Sequence, residues 1–115
     1  MANYYIYAVL LENCPYSNDA RKLLETNNIK HKLEIVTQIN KEKYKMENFS
    51  TYPQIFLKKE NSHDSLFLGG YSDLEVFLKT FKNNEYDHKK IDNFQNKYKW
   101  WSKKATLRLI QLINY

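Results

Sequence analysis

Tyr7-Ala8-Val9-Leu10-Leu11, followed closely by Cys14-Pro15-Tyr16-Ser17, is the stretch of sequence that decides the fold. The apolar run is typical of a buried strand, and Pro15 suits the first position of a helix, where a missing N–H costs nothing. A strand that feeds a helix start places the cysteine sulfur beside unpaired N–H groups and the positive end of the helix dipole. Both favour the thiolate, so Cys14 is a candidate redox nucleophile. The alternative for a lone cysteine is a small buried apolar residue.

The first 81 residues alternate between strand-like and helix-like patterns, in the order β-α-β-α-β-β-α. Asn40 is placed to cap the short second helix, and Ser72 and Glu75 have the spacing of a capping box. A turn at 60–64, with its tip at 61–64, predicts a hairpin. The predicted strands cover 4–11, 30–36, 54–58 and 65–68, and the predicted helices cover 15–27, 40–48 and 72–81.

Two further segments, Thr51-Tyr52-Pro53-Gln54-Ile55-Phe56-Leu57 and Leu68-Gly69-Gly70-Tyr71-Ser72-Asp73-Leu74, follow the cysteine segment in order. Together with Cys14-Pro15-Tyr16 they resemble the glutaredoxin family over about residues 4 to 81. The three motifs in order, with strand and helix patterns between them, make the resemblance specific. It implies an α/β, thioredoxin-like fold: a four-stranded mixed sheet flanked by helices, here with an added C-terminal helix.

The resemblance implies a glutathione-dependent thiol–disulfide oxidoreductase with a role in redox homeostasis and electron transport. Cys14 is the implied nucleophile, which attacks the glutathione sulfur of a protein–glutathione mixed disulfide, and Pro15, Tyr16 and Ser17 complete the motif. Ser17 stands where dithiol members have a second cysteine. Because the chain has one cysteine, only the monothiol cycle of deglutathionylation remains.

The family's glutathione site maps onto three segments of this sequence. Pro53 is expected in the cis form, which lets Tyr52 offer its N–H and C=O to glutathione as a short strand. The start of the third helix is suited to the γ-glutamyl carboxylate, and Asp73 to the ammonium group. One departure is Leu11, where the family commonly has a lysine that lowers the thiol pKa; Arg21 or Lys22 would have to compensate. The implied binding residues are Tyr16, Thr51, Tyr52, Pro53, Gly70, Tyr71, Ser72 and Asp73.

Two alternative functions remain open. Glutaredoxins with serine in place of the second cysteine often share a [2Fe–2S] cluster between two protomers, held by one cysteine from each and by two glutathiones, in which case Cys14 would be the metal ligand. Pro15 argues against this, because a proline after the cysteine resembles the catalytic group. The other alternative is a non-catalytic adaptor with a thioredoxin fold. The three histidines have no ligand-like spacing with Cys14, so no other metal site is predicted.

Composition limits the size of the core and the class of protein. A chain of 115 residues with 43% hydrophobic content can bury one small core. We see no signal peptide and no membrane-spanning run, and one free cysteine fits a reducing compartment, so a cytoplasmic protein is expected. The net charge of +5 is interleaved with acidic residues, which favours a solvated surface over a nucleic-acid footprint.

The last part of the chain lies outside the resemblance. We divide the sequence into a glutaredoxin-like domain, residues 1–81, and a linker with an amphipathic helical extension, residues 82–115, that packs on the same domain. Residues 88–113 are predicted to be mainly helical, with a break near Trp100-Trp101-Ser102, and a protein partner or dimer contact there is the alternative use. The apolar face comprises Ile91, Phe94, Tyr98, Trp101, Ala105, Leu109 and Leu112.

Overall fold

A computed structural model describes residues 3–46, 49–82 and 87–114. These residues form four strands, four α-helices and one short 3-10 helix, Lys41–Tyr44, which lies between the second and third strands. The strands and helices, in chain order, are β1 (Tyr4–Leu11), α1 (Pro15–Thr26), β2 (His31–Val36), β3 (Gln54–Lys59), β4 (Ser65–Gly69), α2 (Tyr71–Phe81), α3 (His88–Lys97) and α4 (Lys103–Ile113).

The four strands form one mixed sheet in the order β2-β1-β3-β4. β1 is parallel to β2 and antiparallel to β3, and β3 is antiparallel to β4, with an irregularity between Ile55 and Phe56. The sheet and its flanking helices are the thioredoxin-like architecture that the sequence predicts. Because β1 ends where β3 begins, the Cys14 and Pro53 segments lie at the same end of the sheet.

The two faces of the sheet are covered differently. Alternate β1 residues such as Ile6, Ala8 and Leu10 belong to the main core, which contains buried residues from all four helices. The opposite face holds a smaller cluster built around Val9, Val36 and Tyr52. The helices therefore lie over one face, and the other face has a thinner apolar layer.

The C-terminal extension is helical and broken where predicted, between Lys97 and Lys103. The Asp87 carboxylate caps α3 by accepting from the Lys89 N–H, and the Ser102 hydroxyl caps α4 by accepting from the Ala105 N–H. Phe94, Trp101 and other apolar residues of the extension are buried in the main core. The linker is predicted over residues 83–87, which lie outside the described residues except for Asp87.

Two local predictions are corrected. The short second helix is a single 3-10 turn, because Met46 already pairs with Phe49 in an isolated β-bridge; residues 47–48 of the predicted helix lie outside the described chain. Asn40 is the N-cap residue of this turn, as predicted, but its side chain makes no capping hydrogen bond to a described residue. No helix within residues 3–46, 49–82 and 87–114 is long and apolar enough to cross a membrane.

Candidate active site

Cys14 is the N-cap residue of α1 and is a partly exposed free thiol. The turn from β1 is closed by a bond of 3.3 Å from the Cys14 N–H to the Leu11 C=O, and Asn13 takes up a positive φ of 59° within it. Within the described chain, the Cys14 side chain makes no capping hydrogen bond. The sulfur is therefore held at the helix start with its own bonding capacity unused.

The first turn of α1 directs backbone N–H groups towards this helix end. The first intrahelical bond runs from the Asn18 N–H to the Cys14 C=O, at 3.0 Å, so the N–H groups of Tyr16 and Ser17 precede the helical ladder. Pro15 occupies the first helical position, as predicted. The Tyr16 side chain is 63% exposed, which leaves an aromatic ring beside the cysteine at the surface.

Ser17 has a structural task that the sequence did not reveal. Its side chain is 1% exposed, and its hydroxyl oxygen accepts from the Leu11 N–H at 3.0 Å. That N–H is at the end of β1, beyond the last β1–β3 pair. Serine in place of a second cysteine thus ties the helix to the strand that leads into the site.

Two charged groups near the site in sequence have partners away from Cys14. The Arg21 guanidinium lies 3.9 Å from the Glu25 carboxylate, one turn further along α1, in an exposed pair. Compensation by Arg21 or Lys22 for the missing lysine stays a prediction. The Glu12 carboxylate accepts from the Gln38 N–H at 3.1 Å. Leu11 packs against the small cluster on the second sheet face.

The second segment of the site precedes β3. The Tyr52–Pro53 peptide bond is cis, as predicted. The Tyr52 ring is buried in the second-face cluster. Its hydroxyl donates to the Lys41 C=O at 2.6 Å, so its one proton is already used within the protein. Burial is the main cause that raises the pKa of Tyr52, and the nearby Glu42 charge adds to it. The Tyr52 N–H and C=O make no hydrogen bond to a described residue, and Thr51 is exposed.

The third segment joins β4 to α2 and approaches the second segment closely. Gly69 has a φ of +132°, and a Cβ there would lie 2.1 Å from an Asp73 carboxylate oxygen. A Cβ on Gly70 would lie 3.3 Å from the Phe49 ring and 3.6 Å from the Pro53 carbonyl oxygen. Glycine at both positions lets the start of α2 sit against the chain around Pro53.

The cap of α2 differs from the prediction. The helix begins at Tyr71, with Gly70 as the N-cap, and the Gly70 N–H donates to Asp73 Oδ2 at 2.8 Å. Asp73, rather than Glu75, is the acidic partner, because the helix starts one residue before Ser72, and Ser72 is exposed. The predicted capping box at Ser72 and Glu75 was therefore wrong.

Tyr71 connects the two helix starts. Its ring centroid lies 6.2 Å from that of Tyr16, and its hydroxyl donates to the Glu75 carboxylate at 2.9 Å. The hydrogen bond to Glu75 raises the pKa of Tyr71; burial and the Glu75 and Asp19 charges act in the same direction. Two aromatic rings therefore border the space between Cys14 and the start of α2.

Three side chains of the extension reach this region and were not predicted to do so. The Tyr98 hydroxyl donates to Asp73 Oδ1 at 3.0 Å. The Trp101 indole donates to the Leu68 C=O at 3.2 Å, and the Trp100 indole to the Phe67 C=O at 3.1 Å. The sequence placed Tyr98 and Trp101 on an apolar face, but its periodicity carries no information on which strand or loop that face meets.

A comparison with protein-family models supplies the family. The glutaredoxin model matches residues 4–61, which is half of the chain and includes Cys14 and Pro53. This chain belongs to the glutaredoxin family. Glutaredoxins are thiol oxidoreductases that use glutathione, and the chain takes a thiol oxidoreductase-type role from that membership. Comparison with curated proteins gives no match.

The glutaredoxin match ends before the Gly69–Asp73 segment and before the extension. The family match therefore does not cover those parts of the site, which are identified from their geometry. In the described ranges, no group of three or more His, Cys, Asp and Glu side chains is arranged to hold a metal ion.

Proposed function

We propose that this glutaredoxin reduces protein–glutathione mixed disulfides by a monothiol cycle, with glutathione as cosubstrate and a reducing, cytoplasmic setting. The observation that carries the proposal is the placement of the chain's one cysteine, partly exposed, at the N-cap of α1. Ser17, where dithiol members have a second cysteine, is buried and accepts from the Leu11 N–H. Intramolecular resolution of a disulfide on Cys14 has no thiol to use.

The proposed cycle balances in two exchanges. The Cys14 thiolate attacks the glutathione sulfur of the mixed disulfide; the old S–S bond breaks, and the substrate leaves as a thiolate that takes up a proton. Cys14 is then joined to glutathione. The thiolate of a second glutathione attacks the sulfur of the bound glutathione, which releases Cys14 as a thiolate and forms glutathione disulfide. In total, the substrate thiol is released and one glutathione thiol is consumed, because the second glutathione ends joined to the first as glutathione disulfide.

The proposed glutathione site uses the three segments at one end of the sheet. The N–H and C=O of Tyr52 pair with the glutathione backbone as a short added strand. The first-turn N–H groups of α2, near Gly70 and Ser72, receive the γ-glutamyl carboxylate, while Asp73 faces the ammonium group. Tyr16 and Tyr71 line the side between the helix starts, and Thr51 and Pro53 border the disulfide.

A [2Fe–2S] cluster is the alternative function of this site. A cluster shared between two protomers would take the Cys14 thiolate of each protomer and the thiolates of two glutathiones. Pro15 argues against this alternative, because a proline after the cysteine resembles the catalytic group of the family. We derive no step through a cluster.

A glutathione-coupled turnover assay on a small glutathione mixed disulfide tests the proposal. Wild type should turn over. Cys14→Ser should lose at least a thousandfold in rate, because the nucleophile is absent. Mass spectrometry should find one glutathione on Cys14 in the state between the two exchanges. Ser65→Ala, a change at an exposed residue at the start of β4 and outside the proposed site, is the matched control and should retain turnover.

Reduction of a substrate with an internal disulfide, such as insulin, separates the monothiol cycle from the dithiol cycle. We expect little reduction of insulin by wild type, since one thiol cannot resolve its own mixed disulfide. Turnover that survives Cys14→Ser would contradict the proposed nucleophile, and efficient insulin reduction without glutathione would contradict the monothiol cycle.

A further inference from the structure

Tyr98, the residue that follows α3, makes a hydrogen bond between the C-terminal extension and the proposed glutathione site. Its hydroxyl donates to Asp73 Oδ1 at 3.0 Å across 25 residues of sequence. The side chain is 4% exposed. A hydrogen bond to a carboxylate is stronger than a bond between neutral groups, and this one is partly buried, so the contact restricts the Asp73 side chain.

The Tyr98 ring is itself held firmly in the core. It stacks on Phe94, with centroids 4.4 Å apart and an interplanar angle of 17°, and lies 5.3 Å from the Trp101 ring. Trp101, 2% exposed, donates its indole N–H to the Leu68 C=O, at the end of β4. The extension thus holds both the strand before Gly69 and the carboxylate after it.

The two oxygens of the Asp73 carboxylate then have separate internal donors. Oδ2 accepts from the Gly70 N–H and Oδ1 accepts from the Tyr98 hydroxyl, which fixes the plane of the carboxylate. Each carboxylate oxygen has a second acceptor site, so the group can still receive a ligand cation.

A tyrosine orients this carboxylate without adding a positive charge beside it, whereas a lysine or arginine would add one. Burial, the hydrogen bond to Asp73 and the negative charge of Asp73 together raise the pKa of Tyr98 to about 12. Tyr98 is therefore a neutral donor at neutral pH, and it places no positive charge beside the Asp73 carboxylate.

We propose that Tyr98 is a positioning residue for glutathione: its hydroxyl aims the Asp73 carboxylate at the glutathione ammonium group, so the extension sets the affinity of the site. The inference rests on the proposed function. It goes beyond it by giving the C-terminal extension, which lies outside the glutaredoxin match, a part in ligand binding.

Tyr98→Phe tests the inference because it removes one oxygen and keeps the stacked ring. We expect the KM for glutathione, and the dissociation constant for S-methylglutathione measured by calorimetry, to rise about threefold to tenfold. We expect kcat and the rate of Cys14 alkylation by iodoacetamide to stay within about twofold, since Tyr98 acts through Asp73. Tyr44→Phe is the matched control: it removes a tyrosine hydroxyl that donates to Glu34 at 3.2 Å, from a residue packed against the second-face cluster.

A double-variant cycle with Asp73→Asn shows whether Tyr98 acts through Asp73. In the Asp73→Asn background, Tyr98→Phe should add less than a twofold change in the KM for glutathione. An equal loss in both backgrounds would overturn the positioning role. So would a Tyr98→Phe protein that melts at a lower temperature but keeps the wild-type KM, because Tyr98 would then serve stability alone.

The outcomes separate this inference from the proposed function. If wild type turns over and Tyr98→Phe binds glutathione normally, only the inference fails. If wild type neither turns over the mixed disulfide nor binds S-methylglutathione, the proposed function fails and the inference fails with it.

Discussion

The start of α1 and the start of α2 lie at the same end of the sheet and are built in opposite ways. At α1 the N-cap is Cys14, whose side chain makes no capping bond within the described chain, and the helix begins with a proline. At α2 the N-cap N–H is bonded to the Asp73 carboxylate, and that carboxylate is held again by Tyr98. One helix start is open and the other is fixed by a residue from another part of the chain.

The difference follows from what each helix start is proposed to do. A nucleophile needs free N–H groups and an approachable sulfur, and a protein side chain bonded there would compete with the substrate. A site for a charged ligand group binds more tightly when its donors and acceptors are already held in place, because binding then costs less conformational entropy. The same feature, a helix N-terminus, is thus left open for chemistry in α1 and fixed for binding in α2.

Gly69→Ala should break the fixed helix start and have the largest effect. A Cβ at Gly69 would overlap the Asp73 carboxylate at 2.1 Å, and the φ of +132° disfavours a side chain. We expect a loss of roughly 2–5 kcal/mol in the free energy of unfolding, measured by urea denaturation.

Gly70→Ala is the comparison for that change. Gly70 has a φ of −105°, which other residues adopt, and its nearest neighbour would be the Phe49 ring at 3.3 Å. We expect a loss of about 1 kcal/mol or less. Equal losses for the two variants would mean that the Asp73 carboxylate moves aside easily, and the α2 start would not be rigid.

Ser17→Ala should give a smaller effect, at the open helix start. The change leaves the partly buried Leu11 N–H without its 3.0 Å acceptor, which costs roughly 1–3 kcal/mol of stability. Turnover per folded molecule should stay within a few-fold, because the hydroxyl bonds to the strand. Ser72→Ala, at the other helix start, should change stability by less than about 0.5 kcal/mol, since Ser72 is exposed. A larger loss for Ser72→Ala than for Ser17→Ala would reverse these assignments.

Leu11→Lys should have the smallest effect. It tests the open helix start, that of α1. A cation at the end of β1 favours the Cys14 thiolate, and the lysine stem can follow the apolar contacts that Leu11 makes. Charge effects at an exposed helix end are about 0.3–1 kcal/mol, so the rate of Cys14 alkylation at pH 7 should rise about twofold to fivefold. The KM for glutathione should fall with it.

Leu11→Met controls for the change of side chain without a change of charge. Its alkylation rate should match wild type. If Leu11→Lys and Leu11→Met react at the same rate, the added cation does not reach the sulfur, and the helix start alone determines the reactivity of Cys14.

Much of the fold could be predicted because its signals are local. β1 has the predicted bounds, 4–11, and the bounds of α1, β2, β3 and β4 differ from the prediction by one residue at most. The break in the extension is also local, since Ser102 is a good N-cap and its hydroxyl accepts from the Ala105 N–H. The roles of the site residues in glutathione binding stay predictions that the experiments above address.

The sequence by itself determined the order of strands and helices and the placement of the cysteine at a helix start, because each depends on neighbouring residues. The cis Tyr52–Pro53 bond was implied by the resemblance to the glutaredoxin family. Tertiary structure alone decided which side chains meet: Ser17 with the Leu11 N–H, the Tyr52 hydroxyl with Lys41, and Tyr98 with Asp73. Hydrophobic periodicity says that a face is buried, but burial is non-directional and does not name the partner. A hydrogen bond does name its partner, and that partner is known only once packing has brought the two groups within 3 Å or so of each other.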